Sequence, residues 1–253
     1  MIMLKSKREI ECMRAASAIV AEVLAEVSAR VRPGICTGDL DEVAESLTRR
    51  RGGIPAFKGY EVGGRVFPAS VCISINDEVV HGIPSPDRRL ADGDIVGLDF
   101  GVCVDGYYGD SARTVPVGGV SEEATRLMAT TRRSLEAGIE AIRLGGYVSD
   151  ISGAIQDVAE GAGYTLVREF VGHGIGRRLH EDPQVPNYRT GARGPRLSEG
   201  LVLAIEPMVN AGRAEVYVKD DGWTAATRDG SLSAHFEHSV AVTADGPYIL
   251  TLP

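Results

Sequence analysis

The sequence predicts an α+β protein built as two similar halves. Three observations lead there. Long segments with helical apolar spacing are followed by runs of strand-like sequence, rather than alternating with single strands. The dipeptide Asp105-Gly106 joins two strand-like runs as a tight hairpin, so their pairing is antiparallel. Finally, Arg32-Pro-Gly-Ile-Cys-Thr-Gly-Asp39-Leu40 recurs as Arg143-Leu-Gly-Gly-Tyr-Val-Ser-Asp150-Ile151, at a constant offset of 111 residues. Each copy follows one long helix and precedes another, which suggests a pseudo-twofold relation. The alternative is two unrelated helix–turn–helix segments that share common turn chemistry.

The elements follow in order. Ile10, Met13, Ile19, Val20, Val23, Leu24 and Val27 give a helix over residues 8–30, stopped by Pro33-Gly34. A second helix is expected from about residue 39 to 50, with Thr37 as its N-cap and Gly52-Gly53 as its stop. Residues 54–80 mix β-branched residues with Gly and Pro and read as strands and loops. The hairpin occupies residues 95–114. Ser121 caps a helix to about residue 143, and Ser149 or Asp150 opens another that ends near Gly161. Strands are expected at 166–171, 201–205, 215–218 and 235–242.

Composition limits the function classes. A chain of 253 residues suits one large domain or two joined halves, and a single catalytic domain over 1–253 is expected. Hydrophobic residues at 43% and charged residues at 25% are those of a soluble globular protein. Glycine, 31 of 253 residues, is about 12% against a usual 7% or so, which implies many turns and close backbone approaches. The net charge of −8 lacks the basic footprint of a nucleic-acid binder, and the short Arg clusters at 49–51, 132–133 and 177–178 read as solvated helix ends. Cys12, Cys36, Cys72 and Cys103 form no CxxC pair and no disulfide framework, which suits a reducing compartment. The apolar run at 15–21 is too short and too closely flanked by charge for a signal peptide or a membrane span. A cytoplasmic protein is expected.

Four carboxylates fall in segments that should be buried: Asp99, Asp110, Glu206 and Glu237. An unpaired buried carboxylate costs several kcal/mol or takes up a proton, and these segments carry little Lys or Arg. If Asp105-Gly106 forms a two-residue turn, Val104 pairs with Tyr107, Asp99 faces Ala112 and Asp110 faces Gly101. Asp99 and Asp110 then share one face as diagonal neighbours, about 7–8 Å apart at the backbone, with room for a cation between them. A turn shifted by one residue would undo this relation. His173, between Gly172 and Gly174, joins the set; glycine on both sides is expected to let the backbone bend sharply and keep the ring accessible. Two Asp, two Glu and one His suit Mn, Fe(II), Co or, less well, Zn. Four negative charges balance two divalent ions, and a hydroxide bridging them would be a strong nucleophile at neutral pH. There is no HExxH, Walker loop or GxSxG.

The chain resembles the type I methionine aminopeptidases of the pita-bread, creatinase-like metallopeptidases. The resemblance is carried by Cys72-Ile-Ser-Ile-Asn76, Glu78-Val-Val-His-Gly-Ile-Pro84, Gly93-Asp-Ile-Val96 through Asp99, and Gly109-Asp-Ser-Ala-Arg-Thr114. It continues in Gly172-His-Gly-Ile-Gly-Arg177, His180-Glu181, Ala204-Ile-Glu-Pro207, Asp221-Gly-Trp-Thr224 and Ser231-Leu-Ser-Ala-His-Phe-Glu-His238. These stretches cover nearly the whole chain in order. The resemblance implies a pita-bread fold around a curved, mainly antiparallel sheet, and excision of N-terminal methionine from nascent chains when the second residue is small. It implies that Asp99, Asp110, His173, Glu206 and Glu237 hold two metals, with Asp110 and Glu237 bridging. Glu206 is also the proton shuttle, His180 meets the scissile carbonyl, and His81 lies near the leaving amide nitrogen. The free substrate amine would bind a metal, restricting cleavage to the first residue. By likeness, Tyr60, Phe67, Cys72 and Trp223 line the methionine pocket, although core packing is the plainer reading of any one of them. The chain begins Met1-Ile2 and is not expected to remove its own first residue.

Two features depart from the family pattern: the 61–66 segment is longer than usual, and Leu179 stands where an aromatic residue is usual before His180. Two rival readings compete with this one. An X-Pro dipeptidase or aminopeptidase would share the metal set, but such relatives carry an N-terminal domain for which the chain leaves no room. A non-catalytic binding module would have broken ligand positions and a basic surface. Nascent polypeptide N-termini are the expected partners, with at most transient ribosome contact, no specific nucleic acid, no membrane and no obligate dimer.

Overall fold

The computed structural model describes residues 2–252, so Met1, whose retention the sequence predicts, lies outside the described residues. Helix α1 (Lys7–Arg30) opens on a capping box, in which Ser6 and Glu9 satisfy each other's backbone N–H groups. Helix α2 (Thr37–Arg50) starts earlier than its sequence suggests. Thr37 is not its N-cap: its hydroxyl exchanges hydrogen bonds with the backbone of Ser85 (3.1 and 2.9 Å), and Cys36 holds the cap position without a side-chain bond.

Short strands β1 (Ile54–Pro55), β2 (Glu61–Val62) and β3 (Arg65–Val66) lead to β4 (Cys72–Ile75) and β5 (Glu78–Val80). The hairpin follows as β6 (Ile95–Val104) and β7 (Tyr107–Pro116). Its register is the expected one throughout, with Val104 opposite Tyr107, Gly101 opposite Asp110 and Asp99 opposite Ala112. Asp105 and Gly106 both have positive φ (49° and 78°), the conformation this turn demands. Strand β6 also pairs with β1 and β4, while α1 and α2 pack their apolar faces on this sheet through Val20, Leu24, Val27, Leu40, Ile73, Leu98 and Phe100.

The second half repeats the plan. Helix α3 (Glu122–Glu140) is capped by Ser121 and ends three residues short of the sequence expectation. There the Arg143 guanidinium turns back onto the carbonyls of Glu140 and Ile142 and takes over the helix end. Helix α4 (Val148–Gly161) begins one residue before Ser149, because Pro195 O and Arg193 O accept from the N–H groups of Val148 and Ser149. Strands β8 (Thr165–Leu166), β9 (Gly172–Gly174), β10 (Glu181–Val185), β11 (Val202–Ile205), β12 (Met208–Asn210), β13 (Val216–Val218), β14 (Ala225–Thr227), β15 (Ser233–His235), β16 (His238–Thr243) and β17 (Gly246–Ile249) complete it. Every pairing is antiparallel, and the main sheet of this half runs β10-β9-β11-β16-β17. Ile139, Ile151, Ile155, Leu203 and Val240 share its core.

The internal repeat has matching hydrogen bonds. Gly34 and Gly145 share φ of +85°, and their N–H groups donate to Leu90 O and Leu197 O at 2.7 and 2.8 Å. Thr37 N and Val148 N then donate to Arg88 O and Pro195 O. The two turns are thus the same structure, each held by its own following strap. Two expected strands are shorter than predicted. Residues 166–171 keep only β8, and 235–242 is broken at Phe236-Glu237, where the chain leaves the β12 sheet and joins β11. Strands β10, β12, β14 and β17 lie outside the expected ones; β10 alternates in burial, but its residues Glu-Asp-Pro-Gln-Val show no apolar alternation in sequence.

Candidate active site and metal centre

The two halves meet along β7. Ser239 Oγ accepts from Asp110 N (3.1 Å) and donates to Asp110 O (2.7 Å). Ser111 Oγ donates to Glu237 O, Glu237 N to Ala112 O, and Thr114 bonds both backbone groups of His235. This seam sets Asp110 and Glu237 side by side. Asp99 comes from the neighbouring strand β6. Glu206 directly follows β11, and Asn187 donates to its carbonyl at 3.0 Å. Glu206 and Glu237 therefore sit in breaks beside strands, not inside them as the sequence suggested.

His173 is the central residue of β9. Its Nδ1 donates to Gly174 O at 2.9 Å, which leaves Nε2 with a free lone pair, 3.5 Å from Glu206 Oε1. The flanking glycines do not bend the chain. They admit neighbouring strands: a Cβ on Gly172 would lie 2.4 Å from Ala204 O, and one on Gly174 2.1 Å from Asp182 O. Both obstacles are backbone. Gly174→Ala is therefore expected to destabilise the fold by about 1–3 kcal/mol or more, read as a lower thermal midpoint, and to displace the His173 ring.

Ligand atoms of Asp110, His173 and Glu237 lie within 4.8 Å of one another. Among the described residues, Asp99 Oδ1, Asp110 Oδ1 and Glu237 Oε1 are buried without a hydrogen-bond partner. Burial pushes Asp99 up to about 7. Burial and then the charge of Asp99 hold Asp110 well above the carboxylate range. Glu206 and Glu237 are raised in the same way, by burial first and by their carboxylate neighbours second. Orphaned oxygens, mutual repulsion and a free imidazole nitrogen are the features of a cation-binding centre. The five residues fit divalent ions.

These groups form the floor of a cavity of about 220 Å³ that is also lined by Tyr60, Phe67, Cys72, His81, His180 and Trp223. All eleven site residues expected from the sequence therefore converge on one pocket. Phe67 meets Trp223 edge-on, with ring centroids 5.3 Å apart. Phe67, Cys72 and Leu179 are buried in one apolar cluster behind the site, so they are core and pocket wall at once. His81 has φ of +60°, unusual for a residue with a side chain, and Gly82 beside it packs against Ile73 O. Its ring stands edge-on to Phe170, and burial lowers it to about 4, so it is neutral.

The sequence reading missed Phe57, Val62, Val80, Phe170, Val171 and Met208, which also line the cavity. Phe170 and Met208 lie within three residues of a carboxylate or imidazole ligand, a signal that could have found them. Val62 belongs to the long 61–66 segment, which forms the β2–β3 hairpin over the pocket. His235, buried with Nε2 unpartnered and 3.9 Å from Glu206, borders the site from behind.

The model of metallopeptidase family M24 matches residues 11–244. The methionine aminopeptidase of Clostridium acetobutylicum is 50% identical over 252 residues, covering 100% of this chain and 99% of that protein. Methionine aminopeptidase 1 of Bacillus subtilis is 48% identical over 251 residues, 99% of each chain. Among solved structures, the methionine aminopeptidase of Thermotoga maritima superposes with a TM-score of 0.96 at 44% identity, over 100% of both chains. The prolidase of Pyrococcus furiosus shares the pita-bread fold alone, with a TM-score of 0.78 at 23% identity, over 99% of this chain and 65% of that one.

Proposed function

The chain belongs to metallopeptidase family M24, with its methionine aminopeptidases, and from that premise we propose that it removes N-terminal methionine from polypeptides whose second residue is small. The observation that carries this reading is the single pocket in which unpaired carboxylate oxygens face an apolar wall. Asp99, Asp110, His173, Glu206 and Glu237 would hold two divalent ions, with Asp110 and Glu237 shared between them. Oxygen-rich donors favour Co, Mn or Fe(II), with Zn a poorer match. When bound, the divalent ions would acidify the attacking water and polarise the scissile carbonyl.

The side chains supply the rest. Glu206 takes the proton from the attacking water; burial and the neighbouring carboxylates Asp99 and Asp110 raise its proton affinity, which suits a general base. His180, at the rim, donates to the carbonyl oxygen as negative charge develops there. His81, neutral and fixed by its backbone, hydrogen-bonds near the leaving nitrogen. Tyr60, Phe67, Cys72 and Trp223 enclose the unbranched thioether. The apolar wall beside the carboxylates, in a cavity of about 220 Å³, suits an unbranched thioether as the first side chain.

Residues 1–253 act as one catalytic domain. No helix among the described residues is long and apolar enough to cross a membrane. The reading places the chain in the cytoplasm as a monomer acting on nascent N-termini, and its net charge of −8 supports only transient contact with ribosomal RNA. Peptide selectivity tests the proposal. With Mn or Co supplied, Met-Ala-Ser is expected to be cleaved at least about a hundredfold faster than Ala-Pro, by analogy with the cost of leaving a specificity pocket unfilled. Faster cleavage of Ala-Pro would assign the site to the X-Pro branch instead.

A further inference from the structure

We propose that Tyr60 is a positioning residue for His180: its hydroxyl donates to Nδ1, fixing the tautomer that carries its proton on Nε2, towards the substrate carbonyl. Tyr60 Oη lies 2.6 Å from His180 Nδ1, the shortest contact that either side chain makes with another. It is the one hydrogen bond to the His180 ring among the described residues. Burial raises the phenol of Tyr60, so it keeps its proton and is the donor of the pair. An imidazole that accepts at Nδ1 must hold its proton at Nε2, on the opposite edge of the ring.

The donor is itself held in place. Tyr60 N donates to Phe57 O, and Tyr60 O accepts from Phe67 N, both at 2.9 Å. Tyr60 thus stands at the base of the β2–β3 hairpin, whose far strand is tied to the neighbouring turn by Arg65 donating to Gly222 O at 3.1 Å. Packing fixes the ring of His180 as well. It meets His173 edge-on with centroids 4.3 Å apart and Tyr60 at 5.3 Å. With Nδ1 engaged and two rings against it, the imidazole keeps one orientation, and its Nε2–H is left for the pocket that both residues line. The long 61–66 segment thereby acquires a role: it anchors the residue that orients the carbonyl donor.

This inference rests on His180 being that donor, and two measurements separate the two ideas. In the metal-free protein labelled with 15N-histidine, long-range proton–nitrogen spectra are expected to show His180 as the Nε2–H tautomer. Tyr60→Phe keeps the ring and removes the hydroxyl, and there the signals are expected to move towards a tautomer mixture. In the metal-loaded enzyme, Tyr60→Phe is expected to lower kcat for Met-Ala-Ser by about tenfold or more, the scale for losing the partner that orients a functional imidazole, with KM changed less than about twofold. An Nδ1–H tautomer in the parent protein, an unchanged spectrum in Tyr60→Phe, or an effect confined to KM would each overturn the positioning role. Undiminished turnover in His180→Ala would overturn the donor reading and leave the tautomer result standing.

Discussion

Asp110→Asn is expected to abolish methionine release while making the metal-free protein more stable. Asparagine keeps the size of the side chain and leaves the backbone bonds to Ser239 intact. It cannot, however, offer an anionic carboxylate to a bound cation. Release of methionine from Met-Ala-Ser should fall by at least about a thousandfold, on the order of 4 kcal/mol of transition-state stabilisation. The stability change runs the other way because Asp110 is buried beside Asp99 and Glu237: after burial itself, Asp99 raises the proton affinity of Asp110, and Asp110 raises that of Glu237. Asparagine takes one carboxyl out of this crowded set, so the metal-free fold no longer has to hold it protonated or beside another negative charge. A misfolded variant would lose activity together with thermal stability; loss of activity with an equal or higher thermal midpoint isolates the role in metal binding. Full activity in Asp110→Asn would end the two-metal reading.

The second large effect is on the pH dependence of the metal-free chain. The site carboxylates have folded values above their unfolded ones: Asp99 near 7, and Asp110, Glu206 and Glu237 well above the ordinary range. The folded state therefore binds more protons than the unfolded state, and stability falls as pH rises through the folded values. Buried histidines oppose this at lower pH. His81, His173, His235 and His238 are held to about 3–4, so they add stability as pH rises towards 6.5. Above about pH 7.5 the histidines are neutral in both states and the carboxylates act alone. With chelator present, the thermal midpoint is expected to drop between about pH 7.5 and 8.5. A tenfold difference in proton affinity between the folded and unfolded states is worth about 1.4 kcal/mol, and each kcal/mol about 2–4 °C in a chain of this size. Mn(II) should restore the loss, and more strongly at pH 8.5, since the ion binds deprotonated ligands. A midpoint that stays level or rises over this range would sink the account of the carboxylates as an uncompensated cluster.

Much of this site was legible because particular residues leave little freedom. Asp105-Gly106 favours a two-residue turn strongly, and that turn, which the structure adopts, sets Asp99 and Asp110 on a common face. The repeated Arg-x-Gly turns announce two halves because a glycine at φ of +85° is needed in both. Other features depend on contacts that a linear pattern does not carry. The apolar alternation runs on through Phe236-Glu237, so nothing local marks the change of sheet; it is imposed by the bonds of Ser111 and Thr114 from β7. Thr37 looks like a helix cap until Ser85, far along the chain, claims its hydroxyl. The glycines about His173 suggest a bend when read locally, whereas the need for them comes from Ala204 and Asp182 on adjacent strands.

The seam along β7 has a consequence for how such an enzyme comes into being. Asp99 and Asp110 precede the second pair of helices, while His173, Glu206 and Glu237 follow it. A ribosome making this chain releases the last of the five only after both repeats have emerged, so a half-made enzyme has no complete cradle to capture ions. On the proposed assignment, loading of the complete site therefore follows synthesis and closure of both repeats, because the five residues come from both.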